Sequence, residues 1–321
     1  MNYRYGLGID AGGTYTDAVI LDFAADKIVD AQKAPTSQPD PSAGIRAVLA
    51  KMDAKLLKQV TMISLATTLA TNALVEDRGA EAGVILVGYD DLPPAIPKTS
   101  RLLMIGGGHT FSGEEKAPLD EKTLKDKLDD FLAGLDAVAV SGFFSVRNPD
   151  HELRVARIVR ERSDLPLVRG QQLSMRLDAF KRATTAWWNA RLMPLISNLI
   201  KATSQVLSEQ GLGLNLMVVR GDGTLMSAQT ALKRPVDTLL SGPAASILGA
   251  KYLSGLDEAL IVDMGGTTTD MAVLSGGGVA LEAKGARVGD WETHVEAAKV
   301  RTIGLGGDSF ISVNASRQLA V

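Results

Sequence analysis

The chain has 321 residues, of which 45% are hydrophobic and 22% charged, a profile that suits two globular lobes and argues against disorder. A net charge of −3 gives no electrostatic reason to bind nucleic acid or an anionic membrane, and no stretch is long and apolar enough to span a bilayer. The lack of cysteine removes disulfides, thiolate metal sites and a cysteine nucleophile; it fits a reducing, cytoplasmic setting, and the N-terminus MNYRYGLGID lacks the layout of a signal peptide.

In chain order, YGLGID, the glycines after it and TYTDAVILD read as strand, tight turn, strand, with a third strand near KIVDAQKA. Helical spacing follows over 42–57, then a strand at TMISLA, a helix over TTLATNALVEDRG stopped by Gly79, and a buried strand at AGVILVG. Residues 88–120 lose periodicity and read as loops, with Pro93, Pro94, Pro97 and the run Gly106, Gly107, Gly108. A helix is expected over 121–132 and a strand at DAVAVSGFF. Asn148, Pro149 and Asp150 open a further helix, since proline loses nothing at a first helical turn. Apolar residues recur at helical spacing from Leu173 to Gln210, and Pro194 is expected to kink or split that stretch. The Trp187–Trp188 pair on it reads as core packing. LNLMVVRGDG is a strand ending in a glycine turn, and ALIVDMGGTTTDMAVLSGGGVALEAKG repeats the opening pattern.

That repeat carries the chemistry. Asp10 to Asp17 and Asp263 to Asp270 both spell Asp-x-Gly-Gly-Thr-x-Thr-Asp, each behind an apolar strand. In the first copy Gly12 and Gly13 let the backbone turn sharply and approach a phosphate, while Thr14 and Thr16 add hydroxyl donors; Gly265, Gly266, Thr267 and Thr269 do the same in the second. Asp10 and Asp263 would repel phosphate unless a magnesium ion with its water shell sits between them. One copy alone is compatible with an ordinary β-hairpin. Two copies favour a phosphate clamp across a cleft. SGPAASILGAKYL, from Ser241, is a helix of small residues suited to close packing. TIGLGGDSF, with Gly306 and Gly307, reads as a strand, a glycine turn and a helix start, a further anion site.

This set of segments resembles the superfamily of actin, sugar kinases and heat-shock ATPases. The resemblance implies an α/β chain of ribonuclease-H-like fold, with ATP and magnesium between two lobes: residues 1–250 form the first and 251–321 begin the second, which stays incomplete. TTLATNALVEDRGAEAGVIL, GGGHTFSGEEKAPLDE, SGFFSVRNPDHELRVARIV, KRATTAWWNARLMP and RPVDTLLSGPAAS are similar to the hydantoinase/oxoprolinase family. Such enzymes use ATP to phosphorylate a carbonyl oxygen of a cyclic amide such as hydantoin or 5-oxoproline. The resemblance also admits an ATP-dependent ketone carboxylase subunit or a small-molecule kinase, and implies a second subunit of the hydantoinase B type. It gives Asp10 and Asp263 catalytic, magnesium-holding roles. Asp222, in RGDG, is either a group that positions the attacking species or a turn aspartate satisfied locally. His109, after three glycines in a long loop, is assigned to the substrate side, and His151, in a first helical turn, to the surface or a cap. A zinc site is not expected. Gln171-Gln172 stands where similar sequences carry His-Glu. The chain also ends soon after the second hairpin, so the expectation is a truncated piece that lacks the adenosine-binding segment and has little activity alone.

Overall fold

The computed structural model describes residues 4–37, 40–98, 100–213, 215–266, 268–313 and 319–320. The first sheet has six strands in the order β10-β9-β4-β1-β2-β3. They are β1 (Tyr5–Ala11), β2 (Tyr15–Asp22), β3 (Lys27–Pro35), β4 (Val60–Thr67), β9 (Leu216–Val219) and β10 (Leu225–Ser227). The first three form an antiparallel meander, β4 joins β1 in parallel, and β9 joins β4 in parallel. Helix α1 (Pro41–Leu49) and the short α2 (Ala54–Leu57) connect β3 to β4. Asp40 caps α1 by accepting from the Ser42 N–H at 2.9 Å, with Pro41 pre-set for the first turn.

This topology positions the site. The parallel strands β1, β4 and β9 end at one edge, where Ala11 pairs with Thr67 and, two residues earlier, Leu65 pairs with Val218. The turns after Asp10, Thr67 and Val219 therefore lie side by side. That is the edge where open α/β sheets bind ligands, because the strand ends leave backbone groups and loops free to converge.

The second sheet is wholly parallel, in the order β6-β5-β7-β8: β5 (Ala82–Val87), β6 (Leu102–Ile105), β7 (Ala137–Gly142) and β8 (Leu167–Arg169). Every residue of β5 and β7 is buried, as continuous apolar runs covered on both faces should be. Helices α4 (Glu121–Leu132) and α5 (Asp150–Arg160) pack Leu124, Leu128, Phe131, Val155 and Val159 onto one face. Strand β6 falls inside the span expected to be all loop; four residues between proline-rich and glycine-rich stretches show no usable period.

Helices α3 (Leu69–Val75), α6 (Gly170–Leu173) and α8 (Ala228–Lys233) are short, and α7 (Ala179–Glu209) is the central element. Its Trp188, Leu192 and Ile196 share one core with Leu7, Ile9, Ile63 and Leu65 of the first sheet and Val84, Leu86 and Ala139 of the second. Of the expected kink or split at Pro194, the split does not occur. A mid-helix proline costs about 3 kcal/mol, and burial of α7 against both sheets exceeds that. Trp187 and Trp188 pack with Trp291 and under the Arg191 guanidinium, 4.8 and 4.5 Å from the two ring centroids.

Helix α9 (Ser241–Ser254) leads to a third sheet, in which β11 (Ala259–Met264), β12 (Thr269–Ser275) and β13 (Gly278–Val279) follow in order and β16 (Arg301–Ile303) pairs with β12. Ala244 and Ile247 of α9 cover one face at Ile261, Ala272 and Val279. The other face leaves Leu260, Val262, Met264 and Val273 exposed. The hairpin β14 (Arg287–Val288) and β15 (Trp291–Glu292) returns to the main core, and Val288, Val295 and Ala297 are buried there.

Candidate functional site

The two repeats fold into the same object. In β1–β2, Asp10 pairs with Asp17 and Ala11 with Thr16, and the Gly12 N–H closes the turn on the Tyr15 carbonyl at 3.1 Å. In β11–β12, Asp263 pairs with Asp270 and Met264 with Thr269, and the Gly265 N–H closes on the Thr268 carbonyl at 2.8 Å. A Cβ on Gly12 would lie 2.8 Å from the Tyr15 carbonyl oxygen, so that turn requires glycine. Gly13, Thr14 and Gly266 lie on the exposed outer sides of the turns. Thr267 lies outside the described residues.

Thr16 and Thr269 are placed differently from the expectation. Both are buried on the inner face of their strands. The Thr16 hydroxyl bonds that of Thr36 at 2.9 Å, and the Thr269 hydroxyl donates to the Leu305 carbonyl. Strand alternation explains Thr16, which points into the covered face while its neighbours Tyr15 and Asp17 point to the other.

Asp10 is half-buried and its Oδ1 is fully enclosed with no hydrogen-bond partner among the described residues. Its pKa is pushed up to about 6 by burial first, then by the negative charges of Asp17 and Asp263, with Lys33 opposing. Asp270 is also raised, by burial and by Asp263, against the Thr302 hydroxyl that bonds it. Asp263 is thus near enough to raise the pKa of carboxylates in both hairpins. Clustered hard oxygens and an orphaned carboxylate oxygen fit a divalent cation such as magnesium. Among the described residues no three His, Asp or Glu side chains converge as a ready chelate, so such a cation would keep much of its water.

The glycine turn at 304–308 docks on the second hairpin. Gly307 donates to the Gly265 carbonyl at 2.9 Å, Asp308 to the Gly266 carbonyl at 2.8 Å, and Gly306 to the Ser309 hydroxyl at 3.0 Å. The first two N–H groups brace the second hairpin and the third closes the turn on itself; the expected helix start does not form in the described residues after Gly307. Asp308 adds a carboxylate beside Gly266 that the sequence reading passed over. Ser241, the first residue of α9, donates to the Thr67 carbonyl at 2.9 Å and so ties the small-residue helix to the end of β4.

A cavity of about 270 Å³ opens beside the first turn. Gly12, Gly13, Thr67 and Asn72 line it on one side, and Leu195 and Leu199 on the other. Asp222 stands on the same sheet edge, after β9, and accepts from the Thr224 N–H at 2.9 Å and the Thr224 hydroxyl at 2.6 Å, with Arg220 at 3.2 Å. These bonds satisfy it within its own turn.

The histidines correct one expectation. His151 is not a surface or capping residue: it is 2% exposed, its Nδ1 accepts from the Gly108 N–H at 3.0 Å, and its Nε2 therefore carries the proton given to Glu115 at 2.9 Å. His109 is buried, with its ring centroid 4.3 Å from that of His151, and burial, then His151, lowers its pKa. The pair organises the glycine loop at the end of β5 and β6, in the second sheet, whereas Asp10 belongs to the first. No helix among the described residues is long and apolar enough to cross a membrane.

Two family models match, the hydantoinase/oxoprolinase N-terminal region over residues 6–163 and hydantoinase/oxoprolinase over residues 182–321. The caprolactamase subunit alpha of Pseudomonas jessenii is 30% identical over 95% of this chain and 48% of its own length. The acetophenone carboxylase gamma subunit of Aromatoleum aromaticum is 28% identical over 97% of this chain and 48% of its own. A nucleotide-free structure of acetone carboxylase superposes with a TM-score of 0.83 at 22% identity, covering 99% of this chain and 51% of that one. The chain thus spans about half the length of these relatives. The fold is the mixed α/β fold of the actin-like ATPases. With matches over residues 6–163 and 182–321, which include both hairpins, the chain belongs to the hydantoinase/oxoprolinase family.

Proposed function

We propose that this chain carries the phosphoryl-transfer site of an ATP-dependent enzyme that opens cyclic amides. The observation that carries the reading is the pair of hairpins with matching register and turns, and the negative charge of Asp263 raising Asp10 supports their facing one site. Gly12, Gly13, Gly265 and Gly266 let the turns approach a triphosphate without side-chain obstruction. Thr14 supplies a hydroxyl at the exposed turn, while buried Thr16 and Thr269 hold the strands behind it. Asp10 and Asp263 would hold a magnesium ion, which would supply charge neutralisation for phosphoryl transfer. Asp222 and Arg220 flank the acceptor on the same sheet edge.

In the reaction, the amide carbonyl oxygen bonds to the terminal phosphorus as the bond to ADP breaks. Water then adds to the activated carbon, phosphate leaves, and the ring opens to a carboxylate and an amine. A second reading, a ketone carboxylase subunit, draws support from the 28% identity to the acetophenone carboxylase chain. It shares the first step and differs in the nucleophile. A second subunit of the hydantoinase B type supplies that later chemistry in either case, and the regions 1–250 and 251–321 act as the two walls of the cleft. Release of ADP by this chain with its partner subunit tests the reading. Lactams or 5-oxoproline should stimulate it and yield the ring-opened product. Stimulation only by ketones with bicarbonate favours the carboxylase, and a stable phosphorylated product favours a kinase.

A further inference from the structure

A second cavity, of about 400 Å³, lies beyond the end of β9 and is lined by Arg176, Arg220, Arg234, Asp237, His294 and Glu296 among others. Three distant segments build it: the loop after α6, the turns after β9 and α8, and the strand-like segment after β15. Arg234 is fully engaged, donating to both oxygens of Asp237 at 2.7 and 3.2 Å and to the Leu173 carbonyl at 3.1 Å. Arg220 is not. Its Nη1 meets Thr224 and Asp222, but its Nη2 stays 3.8 Å from Asp237, beyond hydrogen-bond reach.

His294 is the anomaly. It is 7% exposed, its backbone N–H is fixed on the Thr185 hydroxyl at 3.0 Å, and its ring makes no hydrogen bond among the described residues; Nδ1 is enclosed and orphaned. Burial, and then the positive charges of Lys181, Arg182 and Arg176 against the opposing Asp178, push its pKa down to about 4. The ring is therefore neutral at physiological pH, with one donor and one acceptor unused. Buried polar groups are normally paired; Nδ1 is sealed off, so Nε2 is the ring nitrogen left to meet a polar occupant of the cavity.

Arg220 also ties this cavity to the clamp. Asp10 pairs with Ala66, and Leu65 with Val218, so Val219 lies two strands from Asp10, about 10 Å at the usual strand spacing. An acceptor held at Arg220 is within reach of a phosphoryl group held between the hairpins.

We infer that this cavity binds the acceptor substrate, that Arg220 donates to its carbonyl oxygen, and that His294 pairs with the adjacent ring N–H of a cyclic amide. The inference rests on the phosphoryl-transfer reading above and sharpens it, because a ketone offers an oxygen to Arg220 but no N–H to His294.

The test measures binding of hydantoin, 5-oxoproline, ε-caprolactam and acetophenone by calorimetry, using the chain with its partner subunit. The variants are His294→Leu and His294→Gln, with inorganic triphosphate as the probe for the hairpins. His294→Leu should weaken cyclic amides about tenfold, the loss of one buried hydrogen bond. His294→Gln, which keeps a donor and an acceptor, should recover part of that loss. Acetophenone and triphosphate should bind all three proteins alike. Equal cyclic-amide binding by His294→Leu and the parent, or none by the parent, overturns the inference. If lactams still stimulate ADP release while His294→Leu is neutral, the acceptor site lies elsewhere and the proposed function stands. If only ketones stimulate release, the proposed function itself fails.

Discussion

The two hairpins share a sequence pattern, a register and a turn, yet they sit in different surroundings. The first lies inside a six-stranded sheet, with Oδ1 of Asp10 sealed off from water. The second lies in a thin sheet whose outer face leaves Leu260, Val262 and Met264 bare, and its Asp263 is exposed. The motif determines where a carboxylate stands; the packing behind it determines how that carboxylate behaves. A half-buried aspartate whose Oδ1 has no partner among the described residues is costly to ionise, so on the proposed reading the first hairpin is the one that a cation would relieve.

The largest expected effect breaks that division of labour. Asp10→Asn and Asp263→Asn should each lower ADP release at least about a hundredfold, since the charge that holds the cation is lost. Asp10→Asn should also change the pH dependence of stability most. Its folded pKa, about 6, lies above the ordinary value of 3.8, so ionisation opposes folding. In metal-free buffer the parent should lose roughly 2 kcal/mol between about pH 4.5 and 7.5, and Asp10→Asn should not. Urea titrations at pH 4.5 and 7.5 check this; equal pH dependence in the two proteins contradicts it.

A smaller contrast lies in the turns. Alanine at Gly12 places its Cβ 2.8 Å from the Tyr15 carbonyl, whereas at Gly265 the Cβ stands 3.4 Å from the Thr268 carbonyl, an ordinary contact. Gly12→Ala should cost about 1–3 kcal/mol and Gly265→Ala less than about 1 kcal/mol, measured by chemical denaturation. Equal costs mean that the turns are not distinguished by their closeness. The smallest effect is at Lys33, which opposes the rise at Asp10 and pairs with Asp17 at 3.3 Å across an exposed surface. Lys33→Ala should move the Asp10 midpoint slightly upward and change stability by less than about 1 kcal/mol, visible by NMR titration.

Much of this was legible before the coordinates. The hairpins announce themselves because an apolar strand, an aspartate and paired glycines are local, and the long helix shows through its period. What escaped was whatever depends on distant segments meeting. His151 reads as a helix-start surface residue until the Gly108 N–H and Glu115, from a loop some forty residues earlier, close on it. Thr16 and Thr269 read as ligand donors until the covered face of each sheet claims them. The cavity at Arg220 and His294 joins segments more than seventy residues apart, and no spacing rule connects them. The helix continues through Pro194 for the converse reason, since local rules count its missing hydrogen bond and not the core that clamps the helix.

The central claim is that both hairpins serve one cation site, and the titration of the Asp10 carboxyl tests it most directly. Carbon-detected NMR on the parent and Asp263→Asn, each with and without magnesium, should give a metal-free midpoint near 6 in the parent. That midpoint should be lower in Asp263→Asn, where one repelling charge is gone, and magnesium should depress it strongly in the parent and weakly in the variant. A midpoint indifferent to both magnesium and Asp263→Asn would show that the hairpins do not share a site.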